Sequence, residues 1–400
     1  MLFRRVLTAT AALVVLLIPA SASATTTAQL SASLSRSAAG LGPSSGVLVK
    51  KIGSNQELFS LRADAQLVPA SNQKLFTTTT ALLRYGPAAT IPTTVRVRPG
   101  VIFDPVTGVL PGDLYLVGGG DPTFNDNGLT RLATQLRKAG VRQIAGGVRA
   151  DESFFDNRRG SFDSRFKVDS DLSGQLSGLS YSHGRSGSAK QAGKRLDSLL
   201  RGQGITLGSR SRTGRLGSQG VVVATVTSPN MTALAELINV PSENFYSEML
   251  VKNLGGGFGS SGSTASGIGV MRATLSSSIG IKPKMVDGSG LSRANKTTAR
   301  QLVNLLDKVD ETPEIAKPFA DSLPKIGQEG TVRKRLRGSA ASNRCAAKTG
   351  TLIGVSSLSG YCTMAAGDVI AFSIVANRVN SGAVKHVEDK LVKAVAAYTG

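Results

Sequence analysis

Residues 46–52 (Gly-Val-Leu-Val-Lys-Lys-Ile) and 57–61 (Glu-Leu-Phe-Ser-Leu) flank Gly53-Ser54-Asn55, a pattern that predicts a β-hairpin. A helix is expected from about Ser71, carrying Leu75, Phe76, Leu82 and Leu83, with Gly86-Pro87 to end it. Its four threonines, 77–80, are poor helix formers, so the helix should depend on tertiary burial. Residues 221–226 read as a strand and 230–254 as a helical stretch. The glycine-rich run 255–262 contains G-x-G-x-x-G, but a helix precedes it, so it reads as a loop. Towards the end, 346–352 and 358–364 predict a second hairpin, 369–376 a third strand, and 383–398 an amphipathic helix.

Residues 91–217 differ in character, with short strand-like pieces (114–117 and 144–150) among Gly, Ser and Arg. Between 131 and 215 there are 17 basic and 7 acidic residues. This reads as an inserted, basic, β-rich module within a discontinuous domain formed by 25–90 and 218–400. A solvated basic surface with no partner is the alternative reading of any single patch.

The first 24 residues read as a signal peptide, with Arg4 and Arg5, an apolar run to Ile18 and Ala22-Ser23-Ala24 as the cleavage site. An uncleaved, membrane-associated anchor is the alternative, although the run is short for a span. Export changes the meaning of the +21 formal charge. The polyanions within reach are then cell-wall polymers and lipid heads, not nucleic acid. Aromatic residues of the kind that stack on bases are sparse.

The 400 residues include only two histidines, His183 and His386, and neither has a nucleophile elbow nearby. Both are expected to be solvated. No metal or other cofactor is called for, since Cys345 and Cys362 cannot build a zinc-finger spacing. No pair of carboxylates stands out for glycoside chemistry.

A lysine base is the remaining route to an activated serine. Ser71-Asn72-Gln73-Lys74 puts a hydroxyl and an amine on one helix face. Lysine becomes a base near neutral pH only when it is desolvated or set beside another cation. Two other S-x-x-K runs exist, Ser164 to Lys167 and Ser322 to Lys325; the first is in a charged, serine-rich stretch and the second contains Pro324. Ser71 is favoured because Ser242-Glu243-Asn244 and Lys348-Thr349-Gly350 follow it. The competing Ser228-Pro229-Asn230 reads as a turn. S-x-x-K, S-x-N and K-T-G in this order are the signature of penicillin-binding proteins and class A β-lactamases.

With these motifs in place, the chain resembles the D-alanyl-D-alanine carboxypeptidases/endopeptidases of peptidase family S13, the penicillin-binding protein 4 type. The resemblance extends to Gly112-Asp-Leu-Tyr-Leu-Val-Gly-Gly-Gly-Asp-Pro122, to residues 239–250, to Asp287-Gly-Ser-Gly-Leu-Ser-Arg293 and to Ala347-Lys-Thr-Gly-Thr-Leu352. It implies an α/β (α+β) penicillin-binding/β-lactamase-like transpeptidase fold with the β-rich insertion. It also implies a serine DD-peptidase acting on peptidoglycan stem peptides and inhibited covalently by β-lactams.

The resemblance implies the following roles. Ser71 is the nucleophile and Lys74 its base. Ser242 relays a proton and Asn244 binds the substrate amide. Lys348 supplies positive potential, and Thr349, Gly350 and Thr351 line the carboxylate site. The N–H groups of Ser71 and Thr351 form the oxyanion hole. Glu243 departs from the usual Asp or Asn at its position. The 171 residues from Ser71 to Ser242 are fewer than in many relatives, which carry two inserted domains, so one of these is expected to be reduced or absent. A β-lactamase and a non-catalytic wall-binding protein that uses the basic module are the alternatives.

If the second hairpin turns at Ile353-Gly354, Cys345 and Cys362 face each other across it. A disulfide is the favoured reading in an exported chain, with two reduced buried thiols as the alternative.

Overall fold

The computed structural model describes residues 25–216 and 219–399. The expected signal peptide lies outside the described residues. The chain enters through α1 (Thr27–Ala38), whose cap residue Thr26 and Gln29 bond reciprocally. The first hairpin forms as expected, as β1 (Ser45–Lys51) and β2 (Glu57–Leu61). A 3-10 turn over Ala70–Asn72 leads into α2 (Gln73–Tyr85), which ends at Gly86 with φ near +82°. All four threonines 77–80 are fully buried. Thr78 and Thr80 donate to Lys74 O and Phe76 O, and Thr77 donates to Gly288 O. These three hydroxyls are therefore satisfied without water, which offsets the weak propensity of the run.

The insertion follows, with β3 (Pro92–Val97), β4 (Val109–Leu110), β5 (Leu114–Gly118), α3 (Asp126–Lys138), β6 (Gln143–Ile144) and β7 (Val148–Asp151). Then come α4 (Ser188–Gly202), β8 (Thr206–Leu207), β9 (Arg212–Thr213) and β10 (Val221–Thr227). One sheet runs β10-β3-β5-β7-β9 and a smaller one β4-β6-β8. Residues 144–150, expected as one strand, divide between the two sheets, because Gly146 N–H turns to Gly112 O. The expected module boundary at 217/218 falls outside the described residues. Just beyond it, β10 pairs with β3, opposing Val221 to Val97, and so joins the larger of these two sheets. Ser228 N–H donates to Ile91 O, and Ile91 N–H to Ser228 Oγ, closing a neck between the two bodies.

The first body resumes with α5 (Met231–Asn239), α6 (Asn244–Phe258), α7 (Thr264–Thr274), α8 (Ala299–Asp310), α9 (Pro313–Asp321) and α10 (Ala340–Arg344). It closes with β11 (Cys345–Leu352), β12 (Val355–Thr363), β13 (Val369–Asn377) and α11 (Ser381–Ala396). The helical stretch 230–254 is two helices, broken where Ser242 adopts φ +67°. The glycine run is not all loop: α6 continues to Phe258. A side chain on Gly255 or Gly267 would strike the backbone of Ser261 or Val251, so these glycines serve the close α6–α7 crossing.

The principal sheet is antiparallel, in the order β11-β12-β13-β1-β2. One face packs on α2 and α5–α9 through Leu48, Ala371 and Val375. The other meets α1 and α11 through Val47, Phe372 and Ile374. The insertion has its own core, and a small cluster of Phe155, Leu172, Leu176, Phe245 and Met249 seats it on α6.

Candidate active site

The 3-10 turn before α2 presents Ser71, and the first turn of α2 brings Lys74 beneath it. Lys74 Nζ lies 3.1 Å from Ser71 Oγ, and donates to Asn244 Oδ1 at 2.7 Å and to Ser289 O at 2.7 Å. The ammonium is fully buried, and desolvation lowers its pKa to about 8 against the opposing pull of Asp287, Glu248 and Glu243. Burial, rather than a neighbouring cation, carries the shift.

Lys348 projects from β11, also fully buried, and donates to Ser242 Oγ at 2.7 Å and to Thr349 O at 2.9 Å. Both of these acceptors are neutral. Burial and then the charge of Lys74 push its pKa well below the ordinary lysine value. Such an ammonium gains strongly from an incoming carboxylate.

The left-handed backbone at Ser242 turns its hydroxyl to Lys348 and opens α6 with Asn244. Glu243 Oε1 accepts from Phe245 N–H at 3.1 Å and caps α6, so the unusual residue of the second motif faces structure. Asn244 also donates to Asp171 O of the insertion at 3.0 Å.

Strand β11 passes close to Ser71. A Cβ on Gly350 would lie 2.7 Å from Pro69 O, 2.9 Å from Ser71 N and 2.3 Å from Ser357 Oγ. Thr349 Oγ1 bonds to Thr331 Oγ1 at 2.7 Å, and Thr351 is exposed on the same strand. Behind it, Cys345 stands opposite Cys362 and the two are joined by a disulfide.

The geometry thus gathers Ser71, Lys74 and Asn244 into one bonded set and Ser242 and Lys348 into another. The rival motifs are elsewhere: Ser164 caps its own loop on Lys167 O, and Ser322 bonds to Phe319 O within α9's end. His386 is exposed on α11. His183 is only partly solvated; it stacks on Phe245, centroids 4.6 Å apart, with Nε2 3.5 Å from Glu243.

A family model described as the D-Ala-D-Ala carboxypeptidase 3 (S13) family matches residues 26–172 and 161–398. The chain belongs to the S13 family. It is 30% identical to a D-alanyl-D-alanine carboxypeptidase of Actinomadura sp. (strain R39), over 90% of this chain and 82% of that one. It is 29% identical to carboxypeptidase DacB of Mycolicibacterium smegmatis, over 80% and 74%. In fold it is similar to penicillin binding protein 4 of Haemophilus influenzae, with TM-score 0.76, 19% identity and coverage of 92% and 99%.

Thr331 carries no expectation from the sequence, and Glu248 and Asp287, within the stretches 239–250 and 287–293 that carry part of the resemblance, have no role assigned to them there. Glu248 Oε1 accepts from Gly288 N–H and Ser289 N–H, at 2.9 and 2.7 Å, and so fixes the carbonyl that holds Lys74. Asp287 takes the N–H groups of Gly290 and Ser292 and the Asn295 amide. Burial raises the pKa of both acids. Glu248 falls four residues after Asn244 on α6, a spacing that puts it on the same face. Thr331 has no such sequence signal.

Proposed function

We propose that this serine-type DD-peptidase cuts the terminal D-Ala-D-Ala bond of peptidoglycan stem peptides through an acyl-enzyme on Ser71. The observation that carries the reading is the buried Lys74 amine, 3.1 Å from Ser71 Oγ and with a pKa near 8. Neutral Lys74 accepts the Ser71 proton as Oγ attacks the penultimate carbonyl. The oxyanion takes the N–H groups of Ser71 and Thr351, each such donor worth about 3 kcal/mol of barrier. As the intermediate collapses, Ser242 gives its proton to the departing D-Ala nitrogen and regains one from protonated Lys74, leaving an ester on Ser71 and Lys74 neutral again. Water then hydrolyses the ester and restores the hydroxyl.

Asn244 binds the substrate amide, and Lys348, Thr349 and Thr351 hold the terminal carboxylate. A β-lactam enters the same cleft and acylates the same oxygen. The protein works outside the cytoplasm on the cell wall, with residues 1–24 as its export signal. The residue pattern fits carboxypeptidase and cross-link endopeptidase activity alike. The basic insertion offers anionic wall polymers a docking face.

Benzylpenicillin treatment followed by peptide mass spectrometry tests this reading. One adduct is expected, on the peptide containing Ser71, and none in Ser71→Ala. Labelling that persists in Ser71→Ala would overturn the assignment. Steady turnover of nitrocefin would instead mark a β-lactamase.

A further inference from the structure

A groove of about 1010 Å³ lies between the insertion and the far ends of α2 and α6, and no residue of the S-x-x-K, S-x-N or K-T-G motifs lines it. We infer that it binds the acetamido-sugar strand from which the stem peptides hang, an inference that rests on the proposed DD-peptidase reading.

Three observations lead there. The first is distance. Asn244 opens α6 in the catalytic cleft, and Gly256 and Gly257 line the groove twelve and thirteen residues later, about 18–20 Å along the helix. A stem peptide of four or five extended residues spans roughly 13–18 Å. With its terminal D-Ala at Ser71, its sugar-linked end comes within reach of a groove at that remove.

The second is surface chemistry. Gly118, Gly119, Gly256 and Gly257 leave much of the wall as bare backbone. Ser153 and Ser260 add small hydroxyls beside it. Peptide groups and hydroxyls suit the hydroxyl and acetamido groups of sugars, while sugar C–H faces pack on aromatic rings. Phe154 supplies such a ring. It is half-buried, stacked on Phe155 at 5.4 Å, and close enough to α6 that a Cβ on Gly256 would lie 2.7 Å from its Cζ. A ring fixed in this way loses little freedom on binding.

The third is charge. Arg96 and Arg215 line the groove, and its acid, Asp156, is engaged by Lys252. This balance suits the carboxylates of a peptide-bearing sugar strand better than a neutral polysaccharide. A polyphosphate would call for a denser row of cations.

The test compares D-Ala release by the full-length protein from a free pentapeptide ending in D-Ala-D-Ala and from the same peptide carried on a tetrasaccharide. The sugar-bearing substrate should show at least tenfold higher kcat/KM, through a lower KM. Thr90→Trp, at an exposed position that lines the groove, and Arg215→Glu should each remove most of that advantage. Neither should change kcat/KM for the free peptide or the rate of penicillin acylation. The peptide-free tetrasaccharide should bind the wild type in calorimetry and fail to bind Thr90→Trp.

Equal kcat/KM for the two substrates would overturn the inference, as would an advantage that survives both variants. Poly(glycerol phosphate) binding that replaces tetrasaccharide binding and is lost in the same variants would overturn the sugar assignment. Failure of wild-type acylation by penicillin would count against the catalytic reading instead, so the two failures are distinguishable.

Discussion

Burial and bonding pull Lys74 in opposite directions, and the balance suits a base. Desolvation favours the neutral amine, while the charges of Asp287, Glu248 and Glu243 favour the ammonium; the result is a pKa of about 8. The proposed base is the neutral form of Lys74, so kcat/KM and the rate of penicillin acylation should rise with pH towards a plateau above about 8. Glu248→Gln keeps an oxygen for the Gly288 and Ser289 N–H groups but removes a charge that stabilises the ammonium. Its rising limb should therefore move to lower pH. A limb that stays put or moves upward in stopped-flow acylation would show that Glu248 does not act on Lys74. Ser71, Lys74 and Lys348 were legible in the sequence because each occupies a motif with its own spacing. Glu248 was not, since a lone glutamate on a helix reads as solvated until the fold buries it against Gly288 and Ser289.

At the scale of elements, the site depends on how close β11 runs to the turn before α2. Gly350→Ala should push β11 off Ser71, because its Cβ would meet Pro69 O, Ser71 N and Ser357 Oγ within 2.9 Å. The expected outcome is a fall of at least a hundredfold in the penicillin acylation rate, with the fold retained by circular dichroism. The disulfide acts differently. It closes a short loop at the far end of the same hairpin, 17 residues apart in sequence, so Cys345→Ala/Cys362→Ala should cost about 3 kcal/mol in urea unfolding. Acylation should persist within a few-fold, because the register from Ala346 to Leu352 is fixed by β12.

These two hairpins were readable because strand runs and turn residues alternate plainly in both. α3 and α4 were not read, although Leu129, Leu132, Ala133 and Leu136 fall on one helical face. Charges and glycines around them masked the stripe. At Ser242-Glu243-Asn244 the preceding Pro241 signals a helix start, but not the left-handed backbone that aims the Ser242 hydroxyl at Lys348.

At the scale of the whole molecule, the insertion reaches the cleft that holds Ser71, Lys74 and Asn244 and is tied to the body around it. Asp171 O accepts from Asn244, Ser292 Oγ donates to Asp163 at 2.6 Å, and the Lys252 ammonium bonds to Asp156 and to Arg158 O. The last tie is asymmetric. The Lys252 side chain is wholly buried, whereas Asp156 keeps 29% of its side-chain surface in solvent. Removing the lysine leaves a carboxylate that water can reach; removing the carboxylate leaves a cation that water cannot. Asp156→Ala should therefore destabilise more than Lys252→Met, by about 3 kcal/mol against a smaller loss.

The pH dependence separates the two variants further. Burial already lowers the Lys252 pKa, and losing Asp156 lowers it more, because that carboxylate was raising it. The folded variant then holds fewer protons than the unfolded chain between its depressed pKa and the ordinary value near 10.4. Its stability must rise with pH across that window. The gap between Asp156→Ala and wild type should narrow from pH 7 towards pH 10, while the Lys252→Met gap shows no such narrowing. Urea titrations at both pH values decide it, and a constant Asp156→Ala gap would mean that this ion pair does not hold the insertion on α6.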